Sequence, residues 1–305
     1  MLNDNDTVVA GLGECRVDSP LSVRRFINEG ERVIVDVEYG RVETSFRDRG
    51  AAPSFENAGP RRKIYFEPSA AKAAIVTCGG LCPGLNNVIR ALVMELFYQY
   101  GVRTVYGVRY GYEGLIPSYG HGFLELNPDT VDEIHVKGGT MLGSSRGDQS
   151  VSGMVDTLEK KDISMLFTVG GDGTLRGAKD LCEEIARRGL KIAVVGIPKT
   201  IDNDISFVDR TFGFETAVAE ATKVLVSAHE EARGARNGIG LVRVMGRDSG
   251  FIAAYTALAS NVVNYVLLPE VPFRLHGEGG LLVHLQRRLV AKRHAVILVA
   301  EGAGQ

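Results

Sequence analysis

The sequence has no apolar run that reaches the roughly 18 residues needed to cross a membrane. Its charges almost balance, at a net charge of −2, so there is no overall positive field to attract nucleic acid. The first residues, MLNDNDTVVAGLGE, lack the basic start and apolar core of a secretory signal. These absences predict a cytoplasmic protein without membrane or nucleic-acid partners.

Cysteine is scarce, and the cysteines present show neither paired metal-type spacing nor a dense framework. There are four of them, Cys15, Cys78, Cys82 and Cys182. We therefore expect free thiols in a reducing compartment. The sequence also shows no internal repeat with a clear period and no low-complexity segment.

Glycine is abundant, at 37 of 305 residues, against a usual share of ~7%. The glycines cluster in particular turns. The chain is long enough for two domains with buried cores, and its composition of 45% apolar and 24% charged residues is ordinary for a globular protein. The glycine-rich turns therefore distinguish this sequence from that of an ordinary globular protein.

From residue 73 the chain alternates between short apolar runs, glycine turns and helical stretches. The predicted strands cover residues 73–77, 104–108, 163–169 and 191–197, and the predicted helices cover residues 88–100 and 179–188. Buried strands that alternate with helices predict a doubly wound parallel sheet of the α/β class. Ligands bind such sheets where the carboxyl ends of the strands open into loops, and we expect the glycine turns at those ends.

A second, smaller α/β unit is predicted after a long helix over residues 215–232. Five apolar residues of that helix are expected on one face: Val218, Ala221, Val224, Leu225 and Ala228. Strands are expected over residues 238–244, 263–269 and 294–300, and helices over residues 251–260 and 281–292.

These patterns predict three parts. Residues 1–72 form an extension that wraps the main body, with a strand over residues 32–39 and a polar loop over residues 43–63. Residues 73–213 form the first α/β domain. Residues 214–305 form the second α/β domain. A basic run in the extension, Arg61, Arg62 and Lys63, either reaches a phosphate or is a solvated surface.

The turn GGDGT, residues 170–174, follows a predicted strand and opens a helix. Glycine lets backbone amides approach a polyphosphate closely, and a helix amino terminus adds partial positive charge. Asp172 in this turn is a natural ligand for Mg²⁺ that bridges phosphate oxygens. Four residues of this turn are predicted to bind the phosphates of a phosphoryl donor: Gly171, Asp172, Gly173 and Thr174. Glycine turns are common in α/β sheets, so this motif alone does not select a substrate.

Two further glycine turns are predicted to hold the donor phosphates. In CGGLCPGLNN, residues 78–87, Gly79 and Gly80 are the candidates. In GTMLGSSRG, residues 139–147, Arg146 follows small residues as a phosphate clamp would, and Gly147 ends the turn. A lone arginine in such a loop is more often a surface residue.

The stretch PKTIDND, residues 198–204, places two carboxylates beside a hydroxyl and an ammonium at a strand end. The acceptor of a phosphoryl group is usually a hydroxyl, which needs a base to take its proton as it attacks the phosphorus. Asp202 is the candidate for this base. Thr200 would bind the transferring phosphoryl group, and Asp204 would orient the site or contact the metal through water. One βα unit separates Asp172 from this turn, so the two turns are expected to be neighbours. The alternative is a solvated loop.

Two more strand ends carry candidate groups for the phosphoryl acceptor. MGRDSG, residues 245–250, offers Arg247 to a phosphate or hydroxyl of the acceptor. Glu301, after the last apolar run, could accept hydrogen bonds from sugar hydroxyls. A lone carboxylate at such a place is more often solvated.

Together these motifs resemble the 6-phosphofructokinase family, in their order and approximate spacing, from about residue 60 to residue 305. The resemblance implies phosphoryl transfer to the 1-hydroxyl of fructose 6-phosphate with Mg²⁺, with Asp202 as the proton acceptor and Asp172 as the metal residue. It also implies a homotetramer. The residues that it assigns to the sugar-phosphate site are Thr200, Ile201, Asp202, Met245, Gly246, Arg247 and Glu301. It assigns Gly80, Arg146 and residues 171–174 to the donor site. The resemblance thus implies that residues 73–213 are a nucleotide- and magnesium-binding domain with the catalytic loop, and that residues 214–305 are a partial sugar-phosphate-binding domain.

The choice of phosphoryl donor depends on two positions. In the pyrophosphate-using branch of the family, Asp typically follows GGD and Lys typically precedes TIDND. Here these positions are Gly173 and Lys199. Glycine leaves space where the α-phosphate of ATP must lie. The mixed pattern resembles the ATP-dependent plant and trypanosomatid-like branch, so we expect ATP as the donor and keep pyrophosphate as the alternative.

The sequence departs from the family pattern at two places. Many bacterial members have an Arg before the MGR strand that reaches the neighbouring subunit's substrate; here Arg236 comes slightly early and Gly238 stands near that place. The family also continues past the Glu301 turn, so we expect its C-terminal portion to be absent. A catalytically silent nucleotide-binding subunit therefore stays an alternative. A relative of NAD or lipid kinases would share GGDGT but not PKTIDND or MGRDSG.

Overall fold

The computed structural model describes residues 7–304, which form two compact units. The first unit ends at Ile197 and omits a short segment, Leu81–Gly84, which belongs to the second unit together with Pro198 and the residues after it. The compact units thus divide between Ile197 and Pro198, and the three predicted functional domains stay a prediction.

The N-terminal part of the first unit contains β1 (Val17–Asp18), β2 (Arg32–Ile34), α1 (Tyr39–Arg49), β3 (Ser54–Glu56) and β4 (Lys63–Ile64). Strand β1 pairs antiparallel with β4, and β2 pairs antiparallel with β3.

Helix α1 corrects the prediction of a strand to residue 39 and a loop from residue 43. None of its side chains is buried. Ion pairs one turn apart, Arg41 with Glu38 and Arg47 with Glu43, accompany it instead. A helix of this kind has no apolar stripe, so apolar periodicity could not reveal it.

A five-stranded sheet forms the centre of the first unit, in the order β7-β6-β5-β8-β9. The strands are β5 (Lys72–Thr77), β6 (Thr104–Val108), β7 (Phe123–Leu126), β8 (Met165–Gly170) and β9 (Ala193–Pro198). Strand β5 is parallel to β6 and β8. The sheet is nevertheless mixed, because β7 is antiparallel to β6. Only two short 3₁₀ turns join those strands, and parallel pairing usually needs a crossover helix.

Helices and apolar side chains cover the sheet. They are α2 (Leu85–Met94), which continues as a π-helical turn (Glu95–Tyr100), α3 (Val151–Lys160) and α4 (Asp172–Arg187). Helix α3 was not predicted. Its buried residues Met154, Val155 and Leu158 join a core that includes Leu166 of β8 and Leu181 of α4. The α/β class predicted for this unit is confirmed.

The second unit has a three-stranded sheet in the order β10-β12-β11, and all its pairs are parallel. Its strands are β10 (Gly238–Val244), β11 (Tyr265–Leu267) and β12 (His294–Ala300), and its helices are α5 (Phe214–Gly234), α6 (Phe251–Ala259) and α7 (Leu281–Lys292). Strand β12 is the central strand and is almost continuously buried, as expected of a parallel strand covered on both faces.

Helix α5 contributes most of its predicted face to the core, with one exception. Ala221 and Leu225 are buried, whereas Val224 is 53% exposed. Successive helical residues are rotated by about 100°, so the neighbour of a fully buried residue need not share its face. The placement of Val224 on the buried face was wrong.

The remaining observations concern membrane-spanning helices and the cysteines. Between residues 7 and 304 no helix is both long and apolar enough to span a bilayer. None of the four cysteines, all of which the structure describes, forms a disulfide bond; Cys15 and Cys182 are exposed, and Cys78 and Cys82 are buried.

The adjacent residues Val224 and Leu225 provide a matched test of the α5 face. Leu225→Ala removes a fully buried side chain and should lower the free energy of unfolding by about 2–5 kcal/mol. Val224→Ala should change it by about 0.5 kcal/mol or less. Urea unfolding followed by far-UV circular dichroism measures both. Equal losses would show that the helix presents a different face.

Candidate active site

The first two donor-binding turns meet at the carboxyl end of β5. The backbone N–H of Gly79 donates to the carbonyl oxygen of Ser145 at 3.1 Å, and the Ser144 hydroxyl donates to the carbonyl oxygen of Gly79 at 2.6 Å. A Cβ atom at Gly80 would lie 3.5 Å from Nη2 of Arg146. The structure therefore brings Gly79, Gly80 and Arg146 together, although they are far apart in sequence.

The loop of residues 139–147 does not follow a strand, contrary to the prediction. It lies between a 3₁₀ turn, Ile134–Val136, and helix α3. A buried hydroxyl ties it to the end of β5: Oγ1 of Thr77 donates to the carbonyl oxygen of Gly143 at 2.8 Å and lies 2.9 Å from Oγ1 of Thr140. Sequence reasoning missed Thr77, whose hydroxyl holds this loop at the sheet edge.

Arg146 is free to meet an anion. Its side chain is exposed, and within residues 7–304 its guanidinium makes no hydrogen bond or ion pair. Gly147, next to it, has φ of 99° and open space on its side-chain side. An unpaired guanidinium over a glycine turn suits a phosphate group.

The third turn joins β8 to α4 and lies beside the first two. Strand β8 pairs with β5, and the N–H of Cys78 donates to the carbonyl oxygen of Val169 at 2.9 Å. Helix α4 begins at Asp172 with Gly171 as its N-cap residue, and no side chain caps the helix. Its first backbone N–H groups thus remain available to a ligand.

Within this turn, Thr174 and Gly173 have opposite surroundings. Thr174 is buried against Gly170, and its carbonyl oxygen accepts a hydrogen bond from the Tyr112 hydroxyl at 2.8 Å. Gly173 is exposed, and no atom lies within 4 Å of where its Cβ would be. Packing does not require glycine at position 173, and a helical glycine costs stability relative to other residues. The open space beside it is therefore available to a ligand.

The chemistry of the donor turns fits Mg²⁺ held mainly by a polyphosphate. Asp172 is exposed, and its carboxylate makes no hydrogen bond or ion pair within the described residues. Between residues 7 and 304 no group of three or more His, Cys, Asp and Glu side chains could hold a metal ion by itself. Magnesium commonly takes one or two protein carboxylates and completes its shell with phosphate oxygens and water.

The second unit holds the predicted base in the loop of residues 199–213. Oδ1 of Asp202 is buried and has no hydrogen-bond partner within the described part of the chain. Its backbone is fixed instead: the N–H of Asp202 donates to Oγ1 of Thr200 at 3.1 Å, and the Ser249 hydroxyl donates to its carbonyl oxygen at 3.3 Å. A buried, unpaired carboxylate oxygen is costly, and such costs concentrate at functional sites.

The surroundings of Asp202 make it a stronger base than an ordinary aspartate. Its pKa is raised from 3.8 to about 6, chiefly by burial and in addition by the negative charges of Asp204, Glu301 and Asp248. The structure thus gathers three predicted or neighbouring carboxylates around Asp202. The contribution of Asp248 was missed, because in sequence it reads only as the residue after Arg247.

Thr200 and Asp204 form a small network beside the base. The Thr200 hydroxyl donates to Oδ1 of Asp204 at 2.6 Å while it accepts the N–H of Asp202. Asp204 therefore fixes the direction of the Thr200 hydroxyl. Ile201 is half-buried, and Lys199 is buried at 6% exposure.

The predicted acceptor residues sit on two neighbouring strand ends of the second unit. Strands β10 and β12 are paired, and after them Gly302 N–H donates to the carbonyl oxygen of Gly246 at 3.0 Å. Gly246 has φ of 126°, and a Cβ atom there would collide with the carbonyl oxygen of Ser249. Met245, Arg247 and Glu301 are all exposed beside this bond.

Comparisons with known proteins agree with the motif pattern. A model of the phosphofructokinase family matches residues 72–305. The ATP-dependent 6-phosphofructokinase of Borreliella burgdorferi is 53% identical over 317 residues, which cover 99% of this chain and 70% of that protein. ATP-dependent 6-phosphofructokinase 7 of Arabidopsis thaliana is 53% identical over 251 residues, which cover 82% of this chain and 51% of that protein.

A solved structure shows the same relationship at lower identity. The crystal structure of Pichia pastoris phosphofructokinase in the T-state matches with a TM-score of 0.67 and 26% identity, over 83% of this chain and 30% of that chain. This chain thus spans only part of each of these proteins. The family match over residues 72–305, together with the 53% identity to the Borreliella burgdorferi protein, establishes that the chain belongs to the phosphofructokinase family.

Proposed function

We propose that this chain transfers a phosphoryl group from ATP to the 1-hydroxyl of fructose 6-phosphate and so forms fructose 1,6-bisphosphate, a step of glycolysis. The observation that carries the proposal is the Asp202 carboxylate, whose Oδ1 is buried without a hydrogen-bond partner and whose pKa is raised to about 6. The names of the relatives, ATP-dependent 6-phosphofructokinases, support the same reaction.

Asp202 is proposed as the general base. With a pKa of about 6, its carboxylate is ionised at neutral pH and yet basic enough to take the proton of an attacking hydroxyl. Its free Oδ1 has an unused acceptor position for that proton. The Thr200 hydroxyl, directed by Asp204, is proposed to contact the transferring phosphoryl group.

The exposed residues after β10 and β12 are proposed to bind the acceptor. Arg247 makes no hydrogen bond or ion pair within residues 7–304 and carries the positive charge that a sugar phosphate requires. Glu301 is proposed to accept hydrogen bonds from sugar hydroxyls. Ile201, Met245 and Gly246 would line the same place.

The donor side is proposed to lie at the three glycine turns of the first unit. Gly79, Gly80 and Arg146 would receive the phosphates, and the amino terminus of α4 would add its backbone N–H groups. Mg²⁺, held there by Asp172 and by phosphate oxygens, would neutralise charge on the transferring group.

ATP is proposed as the donor rather than pyrophosphate. The space beside Gly173 is unfilled by protein, and a carboxylate at that position would bring negative charge into it. Lys199, at the position that the family resemblance links to pyrophosphate use, is buried in the second unit. The predicted homotetramer and cytoplasmic location stay predictions, and the names of two Arabidopsis thaliana relatives include the word chloroplastic.

The first prediction about function concerns turnover and its pH dependence. With Mg²⁺, ATP and fructose 6-phosphate, a coupled assay for fructose 1,6-bisphosphate should give a kcat/KM that falls about tenfold per pH unit below pH 6. Asp202→Asn cannot accept the proton, so its kcat should fall by about 10²–10⁴-fold.

The same assay distinguishes the alternatives. Turnover with pyrophosphate but not with ATP would refute the choice of donor. A folded chain that binds ATP and turns over neither donor would refute the enzymatic proposal and favour a silent nucleotide-binding subunit. Glu183→Gln, on the exposed surface of α4, serves as a carboxylate-to-amide control and should leave kcat unchanged.

The raised pKa of Asp202 also predicts a pH-dependent effect on stability. The folded protein binds the Asp202 proton more tightly than the unfolded chain does. The free energy of unfolding therefore falls as the pH rises from 3.8 to about 6, and this loss is complete above about pH 6. Asp202→Asn should therefore raise the free energy of unfolding by about 1 kcal/mol at pH 7.5, after allowance for solvent screening.

Below pH 3.8 the gain should disappear, because the carboxyl group is then protonated in both states. Urea unfolding at a series of pH values measures the difference between wild type and Asp202→Asn. A gain that persists unchanged at low pH would point to a cause other than ionisation.

A third prediction tests the donor side. Gly173→Asp should fold as well as the wild type, since no atom lies within 4 Å of its Cβ position and an acidic residue suits the first turn of α4. Its KM for ATP should nevertheless rise at least about tenfold through charge repulsion. Thermal unfolding and ATP titration separate the two effects, and an unchanged KM would remove Gly173 from the donor site.

A further inference from the structure

The segment Leu81–Gly84 lies between β5 and α2 in sequence but packs within the second unit. It directly follows Gly79 and Gly80 of the first donor turn. Cys82 is buried at 2% exposure, and its thiol donates to the carbonyl oxygen of Phe212 at 3.0 Å. The proposed function assigns no role to this segment.

The segment and residues 212–213 fit together without room for further atoms. A side chain at Gly213 would collide with Sγ of Cys82 and would come within 2.7 Å of the carbonyl oxygen of Pro83. A Cβ atom at Gly84 would lie 3.0 Å from the Phe212 ring. Gly84 and Gly213 both have positive φ, at 100° and 87°, so glycine is favoured at both positions for backbone as well as packing reasons.

The thiol of Cys82 is suited to donating a stable hydrogen bond rather than to acting as a nucleophile. Burial raises its pKa to about 11, so the thiol keeps its proton at neutral pH and acts as a donor. Lys199 lowers this pKa and Asp202 raises it, which places both charges in the neighbourhood of the sulfur.

From Phe212 the contacts continue back to the base. The N–H of Thr211 donates to Oδ1 of Asn203 at 2.8 Å, and the Asn203 amide donates to the carbonyl oxygen of Asp209 at 3.1 Å. Asn203 has φ of 57°, a left-handed conformation that costs energy and needs support from its surroundings. Asn203 directly follows Asp202 in the chain.

This support matters because no hydrogen bond from the described part of the chain holds the Asp202 carboxylate. Its side chain makes no hydrogen bond within residues 7–304, and its orientation depends on the backbone of its loop. A small displacement of that backbone would move the base, and misplacement of about 1 Å can cost about 10²-fold in rate.

We propose that the segment Leu81–Gly84 positions the general base: the Cys82–Phe212 hydrogen bond and the close packing on Gly213 hold the loop of residues 199–213 in the form that presents Asp202. Cys82 is thus a positioning residue and not a catalytic one. The inference rests on the proposed function of Asp202. It also assigns a reason for the sequence Leu-Cys-Pro-Gly directly after the donor turn.

The test compares Cys82→Ala, which removes the donor, with Cys82→Ser, which keeps one. In the full chain, Cys82→Ala should lower kcat/KM about tenfold or more and should shift the acid limb of its pH profile below pH 6, because a looser loop admits water to Asp202. Hydrogen–deuterium exchange of residues 199–213 should become faster. Cys82→Ser should restore part of all three properties, and Cys182→Ala, at an exposed position, should change none.

Gly84→Ala provides an independent check that keeps the thiol. It pushes the segment away from the Phe212 ring, so it should reproduce the faster exchange of residues 199–213 and the shifted acid limb. If the wild type turns over but Cys82→Ala matches it in rate, pH profile and exchange, the positioning role is wrong. If the wild type itself turns over neither donor, the proposed function fails, and the positioning role fails with it.

Discussion

The parallel pairing of β5 with β6 and β8 is the constraint on which the donor side depends. Parallel strands end at the same edge of a sheet, so turns that are far apart in sequence become neighbours there. The Cys78 N–H to Val169 carbonyl bond ties the ends of β5 and β8 to each other. The Thr77 hydroxyl then ties the loop of residues 139–147 to the same edge. Without this pairing the glycine turns would be unrelated pieces of chain.

The second unit uses a different device around Asp202. Hydrogen bonds within the unit hold the backbone of Asp202, whereas Oδ1 of its carboxylate is buried without a hydrogen bond from the described residues. Three further carboxylates raise the pKa of the same group. The unbonded oxygen and the neighbouring negative charges each destabilise the fold slightly and make Asp202 a better base. Such an exchange of stability for activity is common at functional sites. The close fit of Cys82 on residues 212–213 is consistent with a loop whose shape must be held from outside.

Much of the molecule could be predicted from the sequence. The apolar runs located β5, β6, β8 and β12 to within a few residues, since buried parallel strands consist of continuous apolar residues. The apolar run of β10 located that strand as well, although only Val242 of it is buried. The predictions failed where the signal is not apolar periodicity. Helix α1 has no buried residue, β7 pairs antiparallel because no helix joins it to β6, and Val224 turns away from the face that Leu225 buries.

The sequence by itself determined the α/β class, the order of the motifs and the residue types available for phosphoryl transfer, because these depend on local pattern and side-chain chemistry. Only the tertiary structure decided the environment of each group. It showed that the 139–147 loop reaches β5 without following a strand, that the space beside Gly173 is open, and that Asp202 is partly buried among like charges. Burial, close approach and pKa depend on residues distant in the chain, and their placement is fixed only when the chain is folded.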